Sequence, residues 1–487
     1  MLPATICYRA LGARDSRFDG LFFVGVTTTG VYCRPICPAR TPRADRCRFF
    51  ANAAAAEKAG FRACLRCRPE LAPGSAPVDA RSILVTRALA QIDAGYLDDH
   101  SVEQLAAELE VSSRHLRRAL EAELGVGPLE LATTRRLALA KQLLHDSDLD
   151  LTTIAFASGF GSVRRFNAAF AARFDRPPSA LRRELDGSRQ LASQARPIRL
   201  RLDLRPPFCW DALLEFLRAR AIPGIEQVDE RGYRRLVAID EHVGELQVVH
   251  DPARPCLRVE LEPTLAPRLA RIVARLRRLF DLDAQPAAID AALVDDPLLA
   301  PLIERRPGLR VPGCFDPFEA LIRTILGQQI SLAAARTLAG RIVEQFGRRI
   351  TRESSDALDR VFPDPIVLAS APIEALAGVG MPQMRATVIR TIARAHSERT
   401  LAFELGDPTT MLERLALLPG VGPWTRDYAA LRVLHLPDAF PASDGALRRV
   451  FPDLSPGAIE ARSAAWRPFR AYAAQHLWTA LAQGEIG

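Results

Sequence analysis

Four cysteines form two close pairs in the first part of the sequence, and their spacing is typical of a metal site. Three residues separate Cys33 from Cys37 and two separate Cys64 from Cys67, with a longer segment between the pairs. Two such pairs can converge on one tetrahedral Zn²⁺, and small domains often need that ion to fold. In a reducing compartment, paired cysteines indicate a metal site rather than disulfides. We therefore predict one zinc ion held by four cysteines.

A glycine-rich turn followed by an aspartate is the second group of residues that could do chemistry. Gly420, Val421 and Gly422 form a short turn directly before a predicted helix. Backbone N–H groups in such a turn can bind a DNA phosphate without reading the base sequence, although the same residues alone could form an ordinary loop. Asp444 follows at the start of another predicted helix, where an aspartate can serve as the N-cap.

Composition and charge narrow the class of protein. The sequence has 487 residues, more than one hydrophobic core usually organises. Hydrophobic residues make up 48% and charged residues 25%, which argues against a disordered or membrane-embedded chain. No basic leader precedes the first segment, so we expect a cytoplasmic protein without a membrane partner. Residues 1–70 hold 12 Lys and Arg against five Asp and Glu, and these arginine-rich cations suit contacts with phosphates.

Changes in composition and periodicity divide the sequence into four predicted domains. They cover residues 1–75, 80–187, 195–300 and 301–487. After the cysteine domain, the second and fourth domains have the apolar spacing of helices, and the third alternates strand-like and helical segments, as in a small α+β domain. Its predicted strands lie at 197–204, 235–239, 245–249 and 256–261. Linker-like stretches occur at 71–77 and 186–194.

Two similar helical units occupy the second predicted domain. In the first unit, Ser101 and Gln104 form a predicted capping box, and Ser112 is predicted to cap the following helix. The second unit repeats this layout, with Ser162 as the cap. The predicted buried stripe of the first unit consists of Leu105, Leu109, Leu116 and Leu120. The outer helices expose arginines that suit a major groove, namely Arg114, Arg117, Arg164 and Arg165.

The residues around the cysteines resemble a known family. The segment 23–37 reads FVGVTTTGVYCRPIC and the segment 60–67 reads GFRACLRC, and both closely resemble the Ada family of methylphosphotriester-repair proteins. The resemblance implies that Cys33 irreversibly accepts a methyl group from the DNA backbone, while Cys37, Cys64 and Cys67 complete the zinc site. A purely structural zinc site is the alternative.

The paired helical units resemble the AraC family of DNA-binding domains, in which two recognition helices enter adjacent major grooves. Each unit alone could belong to an ordinary helical bundle. Methylation of a cysteine would lower the negative charge of a four-thiolate zinc centre, and we hypothesise that reduced repulsion from phosphates strengthens DNA binding and acts as a damage switch. The sequence contains no Pro-Cys-His-Arg tetrapeptide, so we expect no O6-methylguanine repair.

The glycine-rich turn and Asp444 resemble AlkA-type 3-methyladenine DNA glycosylase II of the helix-hairpin-helix superfamily. Further similar segments lie at 308–318, 325–331, 378–382 and 466–478. The resemblance implies that Asp444 is the catalytic carboxylate and that a flipped cationic base stacks on Trp424, Tyr428 and Trp478. Each aromatic residue could instead belong to the core. Arg470 matches a family position near DNA.

Two features limit the implied reaction. Trp424 stands where strand-cutting members of the superfamily carry a lysine, so we expect no Schiff-base chemistry. No cysteine follows Cys314, so we expect no iron–sulfur cluster. The implied reaction is hydrolytic removal of alkylated purines, with Asp444 stabilising positive charge on the deoxyribose. The family segment that fills the emptied base stack aligns with residues 326–330, where Gln329 replaces an apolar residue.

We therefore predict a multidomain, mostly α protein with a small zinc-binding α+β domain, a double helix-turn-helix domain, a second α+β domain and an all-α glycosylase domain. Its predicted partners are alkylated DNA and promoter DNA, both double-stranded, and we expect a monomer. Two alternatives are a damage-responsive regulator with an inactive glycosylase fold and a glycosylase for deaminated or oxidised purines. The presence of Asp444 argues against the first alternative.

Overall fold

The computed structural model describes residues 2–74, 82–186, 197–351, 358–403 and 407–486. The chain divides into two compact units. The first comprises Met1–Pro206, Ile239–Gly244 and His250–Ala274, and the second comprises Pro207–Ala238, Glu245–Val249 and Arg275–Gly487. The four predicted domain limits are finer than this division and stay predictions. Of the predicted linkers, residues 75–77 and 187–194 lie outside the described residues.

The cysteine-bearing module of the first unit combines a small sheet with helices. Its elements are α1 (Ala4–Ala13), β1 (Phe23–Val26), β2 (Val31–Cys33), β3 (Cys47–Phe50), α2 (Ala53–Lys58) and β4 (Arg62–Ala63), with 3₁₀ turns at Ser16–Phe18, Ala44–Arg46 and Pro69–Leu71. The strand order is β3-β1-β2-β4, and β2 pairs with β4 in parallel. The register pairs Tyr32 with Ala63, so Cys33 and Cys64 follow at neighbouring positions of adjacent strands.

The next module of the first unit is helical. Its elements are α3 (Ile83–Asp93), α4 (Tyr96–Asp99), α5 (Val102–Glu108), α6 (Ser113–Leu124), α7 (Pro128–Asp146), α8 (Leu151–Ala157), α9 (Val163–Phe174) and α10 (Pro178–Asp186). The predicted caps are confirmed at Ser101 with Gln104, at Ser112 and at Ser162. All four leucines of the predicted stripe are buried. Local hydrogen-bonding chemistry therefore sets where these helices begin.

A five-stranded sheet follows in the sequence. Its strands are β5 (Ile198–Asp203), β6 (Glu226–Asp229), β7 (Gly232–Ile239), β8 (His242–Asp251) and β9 (Cys256–Leu261). Their order is β5-β9-β8-β7-β6, with β5 antiparallel to β9 and β6 antiparallel to β7. Four of these strands overlap the predicted ones, whereas β6 was not predicted. Only Val228 of β6 is buried, so that strand lacks the alternation that identifies strands in a sequence.

The other helices have the following bounds, in chain order: α11 (Trp210–Arg218), α12 (Leu269–Leu279), α13 (Pro286–Leu293), α14 (Ala300–Arg305), α15 (Pro317–Leu326), α16 (Leu332–Phe346), α17 (Pro365–Ser370), α18 (Ile373–Ala377), α19 (Gln383–Ser397), α20 (Pro408–Ala416), α21 (Pro423–Arg432), α22 (Gly445–Val450), α23 (Pro456–Ser463) and α24 (Arg470–Ala482). Short 3₁₀ helices span Pro263–Arg268 and Ala464–Trp466. A core of the second unit draws buried apolar side chains from α15, α16, α19, α20 and α21.

The predicted fold class, multidomain and mostly α, is confirmed. Among the described residues, none of the helices combines the length and the apolar character that crossing a membrane requires.

Candidate active site and thiolate cluster

The predicted glycine-rich turn joins α20 to α21 at the surface of the second unit. Gly420 has a φ of 85°, and a Cβ there would lie 2.6 Å from Cγ2 of Val388, so both backbone conformation and packing require glycine. Gly422 caps α21, and Pro423 occupies its first turn, a position where proline loses no helical hydrogen bond. Gly420, Gly422 and Pro423 are exposed. The N-terminus of α21 therefore offers an accessible place for an anion.

Asp444 lies at the N-terminus of α22 and receives four hydrogen bonds. Its Oδ1 accepts from the backbone N–H groups of Ala446 at 2.9 Å and Leu447 at 3.3 Å, so the N-cap role is confirmed. The indole N–H of Trp424 donates to Oδ2 at 2.8 Å, and that of Trp478 donates to Oδ1 at 3.0 Å. Capping and the two indoles together fix the orientation of the carboxylate.

The three predicted pocket aromatics lie together beside Asp444. Trp424 and Tyr428 are four residues apart on α21, which puts both rings on one helix face. Their rings stack with centroids 5.0 Å apart, and the ring of Trp478 lies 6.0 Å from that of Tyr428. All three rings line a cleft of about 1600 Å³ and are partly exposed. The geometry favours a binding surface over the core interpretation.

Arg220 is a cleft residue that the sequence analysis missed. The Cζ atom of its guanidinium lies 3.6 Å from the ring centroid of Phe216. Burial lowers the pKa of Arg220, and the charges of Tyr428 and Asp444 act in the opposite direction. A guanidinium in this position can donate to acceptor atoms of a molecule in the cleft. Its four-residue spacing from Phe216 is common in helices, so no motif marked it.

The turn between α15 and α16 forms one edge of the same cleft. Gln328 donates through Nε2 to the Gly420 carbonyl at 3.0 Å and to Oγ1 of Thr425 at 2.9 Å. Arg385 donates to the Gln328 carbonyl at 2.7 Å. These bonds tie the turn to α21 and α19, while Gln329 is exposed with a positive φ of 56°. The structure thus puts Gln329 at the cleft edge, and its stack-filling role stays a prediction.

Arg470 lies apart from the residues that line the cleft. Arg470 is 8% exposed, and its guanidinium pairs with Asp438 at 2.8 Å and with Glu460 at 2.5 Å. A buried guanidinium with two carboxylate partners stabilises the packing of α24 against its neighbours. These contacts favour a structural role, and the contact with DNA stays a prediction.

The four predicted zinc ligands come together in the first unit. The sulfur atoms of Cys33, Cys37, Cys64 and Cys67 all lie within 4.8 Å of one another. In a tetrahedral site with Zn–S distances of about 2.3 Å, the sulfurs would be about 3.8 Å apart, so this donor set fits zinc. The parallel pairing of β2 with β4 explains why pairs so distant in sequence converge.

Two buried cations flank the thiolate cluster. The backbone N–H of Arg34 donates to Sγ of Cys67 at 3.4 Å, and its buried guanidinium pairs with Asp19 and Asp203. Nζ of Lys141 donates to the Cys64 carbonyl at 3.2 Å. Lys141 is also ion-paired with the buried Glu70 at 2.8 Å, so carboxylates compensate both cations, and the contact that favours a negative sulfur is the backbone N–H of Arg34.

The four arginines predicted for DNA reading lie on α6 and α9. Arg114, Arg117, Arg164 and Arg165 are all exposed. Arg117 forms an ion pair with Glu103 at 2.9 Å. Exposed guanidinium groups on two similar helices are available to phosphates and base edges.

Four protein families match consecutive parts of the sequence. They are described as the metal binding domain of Ada for residues 6–70, a helix-turn-helix domain for 105–184, the AlkA N-terminal domain for 199–316, and the HhH-GPD superfamily base excision DNA repair protein for 322–461. These matches confirm the resemblances to Ada and to AlkA-type glycosylases. They also cover the elements that carry the thiolate cluster and most of the cleft.

Curated relatives extend over the whole chain or over single parts of it. The probable bifunctional transcriptional activator/DNA repair enzyme AlkA of Mycobacterium tuberculosis is 41% identical over 481 residues, which cover 98% of this chain and 96% of the relative. DNA-3-methyladenine glycosylase 2 of Escherichia coli is 37% identical over 57% of this chain and 95% of its own length. The bifunctional transcriptional activator/DNA repair enzyme Ada of Escherichia coli is 33% identical over 31% of this chain and 42% of its own length.

Among solved structures, the 3-methyladenine DNA glycosylase of Archaeoglobus fulgidus superposes with a TM-score of 0.51 at 22% identity. The match covers 59% of this chain and 99% of that protein. At this identity the similarity establishes a shared fold.

Proposed function

Because the chain belongs to the family of bifunctional transcriptional activators and DNA repair enzymes that includes AlkA of Mycobacterium tuberculosis, we propose that it combines three activities. It removes alkylated purines such as 3-methyladenine and 7-methylguanine from DNA by hydrolysis, accepts methyl groups from DNA phosphotriesters at Cys33, and regulates transcription from promoter DNA. The observation that carries the proposal is the Asp444 carboxylate, held by two indole N–H groups beside an aromatic stack.

Asp444 acts on the sugar of the flipped nucleotide. As the bond between C1′ and the purine lengthens, positive charge grows on the deoxyribose, and a fixed carboxylate stabilises it. A water molecule then adds to C1′ and loses a proton, which leaves an abasic site and the free base. Because four hydrogen bonds already orient Asp444, little reorganisation accompanies the reaction.

The aromatic residues bind the base rather than react with it. Alkylation at N3 or N7 makes a purine cationic, so the faces of Trp424, Tyr428 and Trp478 attract it, and it leaves without much acid catalysis. Trp424 has no nucleophilic amine, which limits the proposed reaction to base removal without strand cleavage. The glycine-rich turn anchors the DNA backbone independently of the base sequence, which suits a search for scattered lesions.

The first experiment is chromatography of the bases released from methylated DNA. We expect 3-methyladenine and 7-methylguanine at rates above those of spontaneous loss. A parallel assay uses DNA that contains deaminated or oxidised purines. Release of hypoxanthine or oxidised purines from that DNA, without release of methylated bases from methylated DNA, would support a glycosylase for deaminated or oxidised purines. Absence of any released base would support a regulator with an inactive glycosylase fold.

Replacing Trp424 with phenylalanine tests how Asp444 is oriented. The variant keeps an aromatic face but loses the N–H donor at 2.8 Å from Oδ2. A hydrogen bond to a charged group contributes about 1.5–3 kcal/mol, so we expect a single-turnover rate about tenfold or more lower, with nearly unchanged binding of abasic-site DNA. Trp478→Phe removes the other indole donor, and we expect the same decrease of the single-turnover rate. Unchanged rates in both variants would show that the indole hydrogen bonds do not contribute to the action of Asp444.

Methyl acceptance at Cys33 is a substitution at carbon. The sulfur attacks the methyl carbon of a methylphosphotriester, an S–C bond forms as the C–O bond breaks, and the phosphodiester anion leaves. Zinc, when bound by the four cysteines, would keep their sulfurs deprotonated and therefore nucleophilic. The backbone N–H of Arg34 donates to Sγ of Cys67, which also favours the deprotonated sulfur. Formation of a thioether lowers the negative charge near the DNA, which favours promoter binding.

Removal of metal tests the zinc assignment. The cysteine module has small apolar clusters, one of which includes the cysteines themselves, so we expect its strands to lose protection without the ion. Amide hydrogen exchange of the full-length protein before and after dialysis against a zinc chelator measures this loss. We expect β1 to β4 to exchange much faster in the stripped protein and to recover when zinc is returned. Unchanged exchange would contradict a metal-dependent fold.

A further inference from the structure

Glu57 of the cysteine module makes a buried contact with the second recognition helix. Its side chain is 5% exposed and forms an ion pair with Arg173, which lies near the C-terminal end of α9. The Tyr32 hydroxyl donates to Oε1 of Glu57 at 3.0 Å, and the Thr134 hydroxyl of α7 donates to Oε2. One carboxylate thus joins β2, α7 and α9.

Two more contacts attach the same end of α9 to the cysteine module. Arg62 of β4 forms an ion pair with Asp175, the C-cap residue of α9. Nζ of Lys141 lies 5.9 Å from the ring centroid of Phe174 and donates to the Cys64 carbonyl. The end of the helix is therefore fixed at three places rather than by a single flexible side chain.

Two of the residues that make these contacts lie next to the predicted zinc ligands in the sequence. Tyr32 directly precedes Cys33 on β2, and Arg62 lies two residues before Cys64. At the other end of α9, Arg164 and Arg165 are exposed and face solvent. A helix moves largely as one rigid element, so a shift at its C-terminal end also displaces the exposed arginines.

Burial makes the contact of Glu57 with Arg173 sensitive to its surroundings. Burial lowers the pKa of Arg173, and the nearby Tyr32 acts in the opposite direction. The side chain of Arg173 is 22% exposed and that of Glu57 is 5% exposed, so the loss of either partner leaves the other at least partly buried without its counter-charge. A displacement of β2 that disturbs the bond between Tyr32 and Glu57 therefore alters the position of Arg173.

We propose that Glu57 is a positioning residue that transmits the state of the four-cysteine cluster to helix α9. The second recognition helix then responds to metal loss and to methylation of Cys33 through direct contacts, in addition to the change in charge. The methylation part of this inference rests on the proposed function, whereas the metal part requires only the thiolate cluster.

The test is amide hydrogen exchange of α9 in the full-length, zinc-loaded protein. Exchange is measured before and after metal removal, and before and after incubation with a duplex that carries one methylphosphotriester. In the wild type we expect residues 166–174 to change their exchange rates by about fivefold or more in both comparisons, which corresponds to about 1 kcal/mol of opening free energy. In Glu57→Gln we expect a clearly smaller difference between the two states, because only the contacts of Arg62 with Asp175 and of Lys141 with Phe174 remain.

Two further variants complete the design. Glu184→Gln removes the exposed ion pair with Arg176 that lies just beyond α9, and it should respond like the wild type. Tyr32→Phe keeps the pair of Glu57 with Arg173 and removes only the hydroxyl bond, so it should retain zinc and weaken the response. If Glu57→Gln does not fold, the response of α9 in Tyr32→Phe tests whether Glu57 transmits the state of the cluster.

The outcomes separate this inference from the proposed function. Failure of the wild type to take up methyl from the duplex contradicts methyl acceptance, and the metal comparison still tests the coupling. A wild-type α9 that is insensitive to both treatments overturns the inference, as does a full response in Glu57→Gln or, if that variant does not fold, in Tyr32→Phe.

Discussion

Replacement of Asp444 by asparagine is expected to lower the single-turnover rate of 7-methylguanine release by about 10²–10³-fold, the effect typical of removing one electrostatic contact to a transition state. Asparagine keeps the size of the side chain and is an equally good N-cap, so α22 should still begin at the same residue. What disappears is the negative charge between the two indole N–H groups. The measurement is rapid-quench release of base from a duplex with one 7-methylguanine.

Asp453→Asn is the matched control for this prediction. Asp453 is exposed and follows shortly after the end of α22 in the sequence. It is not among the residues that line the cleft. We expect it to release base at the wild-type rate and both variants to unfold at similar temperatures. Equal rates for Asp444→Asn and the wild type would contradict the catalytic assignment, since thermal unfolding would show that the fold is intact.

Replacement of Cys33 by histidine is expected to abolish methyl acceptance while keeping the metal. Three cysteines and one histidine form a common structural zinc site, so the module should remain folded. An imidazole cannot form the thioether that ends the proposed transfer. Intact-protein mass after incubation with a methylphosphotriester duplex measures uptake, and elemental analysis measures zinc.

Cys64→His distinguishes the acceptor from the other ligands. Cys64 is the neighbour of Cys33 across the parallel pairing of β2 and β4, and the structure leaves it partly exposed. We expect this variant to hold zinc and to take up methyl like the wild type. Methyl uptake in Cys33→His combined with its loss in Cys64→His would move the acceptor role to Cys64.

The parts of the fold that were predicted correctly depend on local chemistry. Ser101, Ser112 and Ser162 cap their helices because a serine hydroxyl can satisfy backbone N–H groups two or three residues away. Such interactions involve only a few consecutive residues, so the sequence contains all of the information. Strand β6 was missed because only one of its four residues is buried, and its antiparallel pairing with β7 across the short turn at residues 230–231, rather than its own alternation, keeps it in the sheet.

The candidate site illustrates the same limit. The motif around Asp444 identified the carboxylate, and its two competing interpretations turned out to be compatible, because Asp444 caps α22 and also accepts from Trp424 and Trp478. Arg220 and Glu57 carried no motif. The partners of Glu57 are Tyr32, Thr134 and Arg173, all far away in sequence, and Arg220 is a cleft residue only because the fold brings it near Tyr428 and Asp444. Long-range packing of this kind cannot be read from spacing along the chain.

Arg470 is a residue for which the motif and the structure supply different information. A family position suggested contact with DNA, but its guanidinium is ion-paired with Asp438 and Glu460. Partners of a charged side chain depend on which carboxylates the fold brings close. The structure thus adds two protein partners that the motif did not indicate, and the contact of Arg470 with DNA stays a prediction.

The most direct test of the central claim uses one duplex that carries a single methylphosphotriester and a single 7-methylguanine. After incubation with the full-length protein, the protein mass, the free base and the length of each DNA strand are measured from the same reaction. We expect protein with one added methyl group, free 7-methylguanine and unbroken strands that contain an abasic site. Unmodified protein together with fully retained 7-methylguanine would contradict the account.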